Sequence, residues 1–490
     1  MQVVWFKRDL RLQDHAPLAA AMAKQQPIVL LYVFEPSVMQ YGDSDIRHWR
    51  FVWESIAALQ QQLQPHKASF VVAYGEVLEV LAYLQANNTI THLYSHEETG
   101  NAITFGRDKA VAAWCKQHAI SWQEFPSNGI IRGLRKRTAV WNKHWFEVMN
   151  APQITIDIEQ LAALTRSIVL PERFHLPKGI QSLLIARNKS MQPGGVYYAQ
   201  QYLQSFIRER AAGYSYHISK PEKARFHCSR LSAYIAYGNM SMRQVYQATQ
   251  QAVHQYPTLK KQYRFFQSRL LWHCHFIQKF ETQCSIEFND INAGFQTLNR
   301  TINQSYLQAW QRGTTGYPLV DACMQCLIAT GYLNFRMRAM LVSFATHHLW
   351  LPWQAIAHYL AQQFLDYEPG IHYPQLQMQA GCTGINTIRI YNPTKQAEEH
   401  DAAGVFIKKW LPALANVPVP LLFTPWKLTT QEQLLYKCVL GDHYPLPIVD
   451  IALTGKYARE MLWSTKQSKA VKAANSSILG KLTIVRKGDV

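Results

Sequence analysis

The hydrophobic pattern of this chain changes period once, and that change constrains what it can fold into. Through the first 125 residues, short apolar runs rich in β-branched and aromatic side chains recur at 3–6 (VVWF), 28–34 (IVLLYVF), 69–74 (SFVVAY) and 90–94 (ITHLY). Residues 51–63 and 75–86, which lie between such runs, have helical period. Strands alternating with helices imply a parallel, doubly wound sheet. From residue 196 onward strand signals nearly vanish, and 196–211, 241–255, 259–280, 319–330 and 333–349 place an apolar residue every three or four positions. That pattern makes the second half all helical. The expected order is an α/β domain over 1–132, a connection over 133–195, an all-α domain over 196–463 and a basic tail over 464–490. Pro152, Pro171, Pro177 and Pro193-Gly-Gly mark the connection. The lysine-rich tail reads as a solvated, partly ordered end.

Composition narrows the function classes. At 490 residues the chain is too long for one ordinary core. A formal net charge of +18 draws polyanions, and nucleic acid is the partner it points to. Eight scattered cysteines are too few for a disulfide scaffold and read as reduced thiols. The start, Met1-Gln-Val-Val-Trp-Phe-Lys-Arg8, lacks the order of a secretory signal, and no apolar run reaches the ~18 residues of a membrane span, so a cytoplasmic protein is expected. The first strand is followed by Lys7-Arg8-Asp9-Leu10-Arg11 instead of Gly-x-Gly-x-x-Gly, which excludes the usual grip on a dinucleotide at that turn.

Residues 307–411 carry arginines, acidic residues and tryptophans on helices that otherwise read as core. Buried charge is costly unless paired, so this stretch outlines a pocket. In Gly331-Tyr-Leu-Asn-Phe-Arg-Met-Arg338 the spacing puts Asn334 and Arg338 on one helix face and Arg336 elsewhere. Arg338 then needs a carboxylate, and Asp366 is its natural partner. Cys228, Ser229, Arg230, Leu231 and Ser232 precede a helical run and offer hydroxyls and backbone donors for phosphate, or an ordinary N-cap. Trp272 is flanked by Arg269 and His273, an aromatic plane with positive charge beside it. A core Trp is the alternative.

Several stretches together resemble the photolyase/cryptochrome family: Val4-Trp-Phe-Lys-Arg-Asp-Leu-Arg-Leu-Gln-Asp-His15, Phe125-Pro-Ser-Asn-Gly129, Ser229-Arg-Leu-Ser232, Trp310-Gln-Arg-Gly-Thr-Thr-Gly-Tyr-Pro-Leu-Val-Asp-Ala322, Arg336-x-Arg338, Arg389-Ile-Tyr-Asn-Pro393 and Trp410-Leu-Pro412. The chain is most similar in type to class I-like photolyases of cyclobutane pyrimidine dimers. The resemblance implies FAD in the helical domain, an antenna chromophore of unknown type on the α/β domain, and light-driven repair of UV-damaged DNA by electron transfer from reduced FAD, in a monomer. It also implies roles for residues. Tyr216 and 228–232 would contact the phosphates, and Arg336, Arg338, Asp366 and Glu368 would hold the flavin. Trp272 would face a flipped lesion, with Arg269 and His273 on the DNA. Trp310 and Trp353 would be the outer members of an electron-carrying chain.

The chain departs from the family pattern in four places. Arg269 stands where the cyclobutane-dimer enzymes carry a lesion-contacting glutamate. Residues 371–378 lack the flavin-proximal tryptophan, leaving Tyr373, Trp350 or Tyr391 as the inner electron carrier, unranked. Residues 333–339 lack the histidine of (6-4) photolyases, although His372 keeps that substrate open. His96-Glu-Glu-Thr-Gly-Asn101 is a polar rim for an antenna but not the Asn-Glu pair of folate binders. The cysteine spacing and the His273-Cys-His275 and His347-His348 pairs lead to no expected iron–sulfur cluster or metal. Alternatives from other classes are a cryptochrome photoreceptor and a flavin-free basic DNA-binding protein.

Overall fold

In the computed structural model, residues 1–135 and 139–482 are described. The chain forms two compact units. One comprises Met1–Glu209, Ser229–Cys284 and Leu365–Gly370; the other comprises Arg210–Cys228, Ser285–Phe364 and Ile371–Val490.

The first unit holds a five-stranded parallel sheet of order β3-β2-β1-β4-β5, with β1 Gln2–Phe6, β2 Ile28–Phe34, β3 Phe70–Tyr74, β4 His92–His96 and β5 Ser121–Phe125. β1 and β2 are buried along their whole length, as central strands covered on both faces must be. Their apolar residues pack with Val77, Val80, Leu81 and Leu84 of the helix Val77–Asn88 and with Val111 of the helix Ala102–Gln117. Strand order reverses beside β1, so the crevice beyond the C-terminal ends of β1, β2 and β4 is the natural ligand position of this topology.

Local chemistry explains the helix starts. His15 Nδ1 accepts the Leu18 N–H to cap Ala16–Ala23, and capping boxes open Ile46–Leu63 (Asp45, His48) and Met242–Gln255 (Ser241, Gln244). Gly238 has φ +68°, and a Cβ there would lie 2.3 Å from the Arg8 carbonyl oxygen. That closeness lets Leu10 N–H donate to Tyr237 O at 3.1 Å and Arg11 donate to Gly238 O at 3.1 Å, which fixes the exit loop of β1.

Two expectations meet different outcomes. The proline-marked connection contains the helix Ala139–Asn150, whose Trp141 and Trp145 are fully buried. Its prolines lie outside that anchor. Residues 136–138 lie outside the described residues. In the second unit the tail is helical through Ile451–Gln467 and Lys469–Leu482, because Val471, Ile478 and Leu482 share a buried face that the lysine content masked. Residues 483–490 are outside the described set.

Candidate functional site

The crevice of the first unit is lined by charge. Arg107 donates to Glu35 Oε2 at 2.8 Å, to Asp108 Oδ1 at 3.0 Å and to Glu98, while stacking over Trp5 at 4.7 Å. Lys7 Nζ reaches Asp108 Oδ2 at 3.1 Å and also lies over Trp5. Burial opposes the Arg107 charge, but Glu98, Glu35 and Asp108 overcome it and hold the guanidinium firmly protonated. Arg8 donates to Tyr367 O at 2.9 Å, Asn101 donates to Asp43 at 2.8 Å, and the Tyr367 hydroxyl donates to the same carboxylate. The cavity is about 70 Å³. A ring-sized ligand needs ~300 Å³ or more, so a second chromophore would fit there only if the side chains swung away from the ion cluster.

The helix Lys260–Thr282 of the same unit displays the expected DNA-facing residues. Trp272 is 50% exposed, its ring 5.6 Å from that of His275 and 5.9 Å from that of Phe276. Arg269 lies over Phe265 at 4.5 Å. These positions favour the exposed plane over the core-Trp alternative. His273 turns inward: its Nε2 meets Glu368 Oε2 at 2.7 Å. Burial alone would depress this imidazole, yet Glu368, with help from Cys274, raises its pKa to about 10. The structure therefore joins two residues expected in different roles, one on DNA and one on the flavin. It also makes His273 a fixed cation one position from Trp272.

In the 228–232 loop, Arg230 takes φ +59°, and its guanidinium donates to Gln192 Oε1 at 2.9 Å while Gln192 Nε2 donates back to Arg230 O at 2.9 Å. Ser229 Oγ accepts the Leu231 N–H at 3.4 Å. Leu231 occupies the N-cap of Ser232–Ala236 and no side chain caps that helix, so the ordinary Ser cap is not the geometry present. In the second unit the Cys228 carbonyl accepts from Arg210. Tyr216, on the short helix Tyr214–His217, is 69% exposed. The turn carries hydroxyls and backbone N–H groups, donor types that a phosphate can accept from, and Arg230 braces it.

The second unit holds the remaining expected residues. Asn334 precedes the helix Phe335–Ser343 and donates to Ile218 O at 3.0 Å, and Arg338 donates through Nε to Leu333 O at 2.8 Å and lies over Phe364 at 4.1 Å. Arg336 lies 5.9 Å over Tyr391, away from Arg338 as the spacing required. Asp366 belongs to the first unit and Arg338 to the second. The helix continues into a π-turn at Phe344–His348, a distortion common at functional positions. Trp310 is fully buried, its Nε1–H donating to Leu341 O at 3.2 Å and its ring 6.0 Å from Tyr359. The Trp353 ring lies 6.4 Å from Tyr373, and its Nε1–H donates to Asp290. The structure thus brings Tyr373 to Trp353; it sets Trp350 against Tyr457 at 5.0 Å and Tyr391 beneath Arg336. His372 Nε2 meets the Ala357 carbonyl at 2.9 Å.

Sequence reasoning missed one cluster, Asp9, His15 and His96, all buried within ligand distance of one another. Asp9 Oδ2 lies 2.7 Å from His96 Nδ1 and 3.0 Å from His15 Nε2. Because His15 Nδ1 accepts the Leu18 N–H, its proton sits on Nε2, which lies within ion-pair distance of the carboxylate but is not aligned for a hydrogen bond, whereas His96 Nδ1 is hydrogen-bonded to it. The Asp9 and His15 positions in the β1 exit loop were the available signal.

Against known proteins, the family described as DNA photolyase matches residues 2–133, and the FAD binding domain of DNA photolyase matches residues 266–464. The two matches follow the strand-rich and helical parts of the chain in order. The chain belongs to the photolyase/cryptochrome family, and its helical part carries that family's FAD-binding domain. The deoxyribodipyrimidine photo-lyase of Alkalihalophilus pseudofirmus is 26% identical over 469 residues, covering 92% of this chain and 95% of the relative. The cryptochrome DASH of Gloeobacter violaceus is 27% identical over 481 residues, covering 92% and 93%. The crystal structure of an archaeal photolyase from Sulfolobus tokodaii, described with two FAD molecules, shares the fold at a TM-score of 0.76 and 22% identity, covering 95% of this chain and all of that one.

Proposed function

We propose that the chain is a deoxyribodipyrimidine photolyase that splits cyclobutane pyrimidine dimers in UV-damaged DNA by light-driven electron transfer from reduced FAD, acting as a cytoplasmic monomer. The observation that carries the reading is the half-exposed Trp272 ring on the Lys260–Thr282 helix, with the Arg269 guanidinium one turn away and the His273 imidazolium beneath. A flipped base loses its stacking partners, and an exposed indole replaces them. The exposed Arg269 guanidinium favours the phosphate backbone. FAD supplies the photochemistry when bound. The residues that would hold it, as the family resemblance implies, are the hydroxyls and backbone donors of 229–232 and Tyr216 for the phosphates, and Arg336, Arg338, Asp366 and Glu368 for the flavin. The strand-end crevice is the place for an antenna once Arg107 and its carboxylates rearrange.

Trp272→Ala tests the reading. Stacking of one base contributes about 1–3 kcal/mol, so affinity for dimer-bearing oligonucleotide should fall about tenfold or more while affinity for undamaged duplex and FAD content hold. Equal loss on both DNAs would count against a lesion-facing Trp272. The photoreceptor reading is kept by one observation, that the cryptochrome DASH relative is as similar as the photo-lyase.

A further inference from the structure

Trp353 and Asp290 form a pair equipped for more than carrying an electron. Trp353 opens the helix Trp353–Gln363, is 2% exposed, and donates its indole Nε1–H to Asp290 Oδ1 at 2.6 Å. Tyr373 lies against the same ring. Burial raises the Asp290 carboxyl, and the Trp353 bond and Arg300 offset only part of that rise. Arg300 is itself engaged, donating to Cys382 Sγ at 3.3 Å and Ala380 O at 2.9 Å, with its guanidinium 5.0 Å from the Trp350 ring.

A neutral indole N–H is too weak an acid to give up its proton to a carboxylate. Loss of one electron from the ring changes this, because an indole radical cation is a far stronger acid than the neutral indole. In a buried site that cation is also costly, and moving its proton across the 2.6 Å hydrogen bond to the carboxylate removes both charges at once. The other ionisable groups facing Asp290 are poor acceptors. The Arg300 guanidinium has donors only, and burial pushes the Cys382 thiol up to about 11, so it keeps its proton.

We propose that Asp290 is the proton acceptor of Trp353: when an electron leaves the indole, the Nε1 proton moves to Asp290 Oδ1, giving a neutral indole radical and a neutral carboxylic acid. The electron goes to photoexcited flavin, the one-electron oxidant, so the inference rests on the reading of Trp353 as an electron carrier. Electron and proton leave the ring for different acceptors, and both return when the radical is reduced. The transfer lengthens the life of the oxidised tryptophan, since recombination must wait for the proton. Asp290 is thereby a positioning and proton-accepting residue for the carrier.

The test uses the full chain loaded with oxidised FAD, a light flash, and time-resolved absorption with electron paramagnetic resonance to distinguish indole radical cation from neutral radical. In the unaltered chain the neutral radical should form, and more slowly in heavy water. Asp290→Asn keeps the size and an acceptor oxygen but takes no proton, so the cation should persist and the radical lifetime should fall several-fold. Asp290→Glu should restore the neutral radical. Trp353→Phe should abolish the signal; an unchanged signal there overturns the carrier reading and the proposal with it. A signal that needs Trp353 but is neutral in Asp290→Asn, at the unaltered rate, overturns the proton transfer alone. Should Asp290→Asn not fold, absence of any heavy-water effect in the unaltered chain has the same force.

Discussion

His273 shows how one side chain takes two duties from its surroundings. Its position beside Trp272 suggests a surface cation for DNA, but its ring is tied to Glu368 and its proton is held to about pH 10. An imidazole whose folded pKa lies above its ordinary 6.5 contributes stability that is full below about 6.5 and is lost as pH rises through about 10. Melting temperature should therefore decline across that alkaline window, and His273→Gln should flatten the decline while costing about 3 kcal/mol at neutral pH, because it strips a partner from a buried carboxylate. Thermal unfolding across pH checks both; an unchanged pH profile in the variant would remove the pair from the account. Neither partner was readable as such in the sequence, since 95 residues separate them. The same holds for Trp353 and Asp290, 63 residues apart. Trp272 and Arg269 were readable, because an aromatic among cations on one helix has no packing reason to be there.

At the scale of elements, the β1 exit loop and β4 are joined by Asp9, His15 and His96. Burial, only partly offset by Asp9, lowers His96 from 6.5 to about 4, and His15 is lowered in the same direction. Between those pH values the unfolded chain binds protons that the folded chain refuses, so stability falls as pH falls from about 6.5 to about 4. The His96 contribution is about 3 kcal/mol. Asp9, held well below its ordinary value despite burial, adds a further loss at lower pH. Denaturant unfolding of His96→Gln should show a shallower acid slope than the unaltered chain; an equal slope would mean the triad does not report on acid stability. The strands themselves divide by visibility. The inner strands β1, β2 and β4 and the apolar edge strand β3, Phe-Val-Val-Ala-Tyr, were legible as apolar runs, whereas the other edge strand β5, Ser-Trp-Gln-Glu-Phe, has no fully buried side chain and no such run. The π-turn at Phe344–His348 was invisible because it depends on one shifted hydrogen bond, Leu349 N–H to Phe344 O at 3.1 Å, within an otherwise helical sequence.

Across the whole molecule, the shift from alternating strands to helices gave the fold class, and the ordered motifs gave the family, because both are spread along the chain. Helix packing in the segment 133–195 and the tail was hidden by prolines and lysines, which report on local surface more than on the buried face behind it. No described helix is long and apolar enough to cross a membrane. The +18 charge, the exposed Trp272 and the FAD-binding domain are the observations behind the proposed light-driven DNA repair. The most direct measurement irradiates oligonucleotides that carry either a cyclobutane dimer or a (6-4) photoproduct with the chain holding reduced FAD. Restored thymines from the cyclobutane dimer, in light and not in the dark, are the predicted result. Intact cyclobutane dimers after irradiation at full FAD occupancy would contradict it.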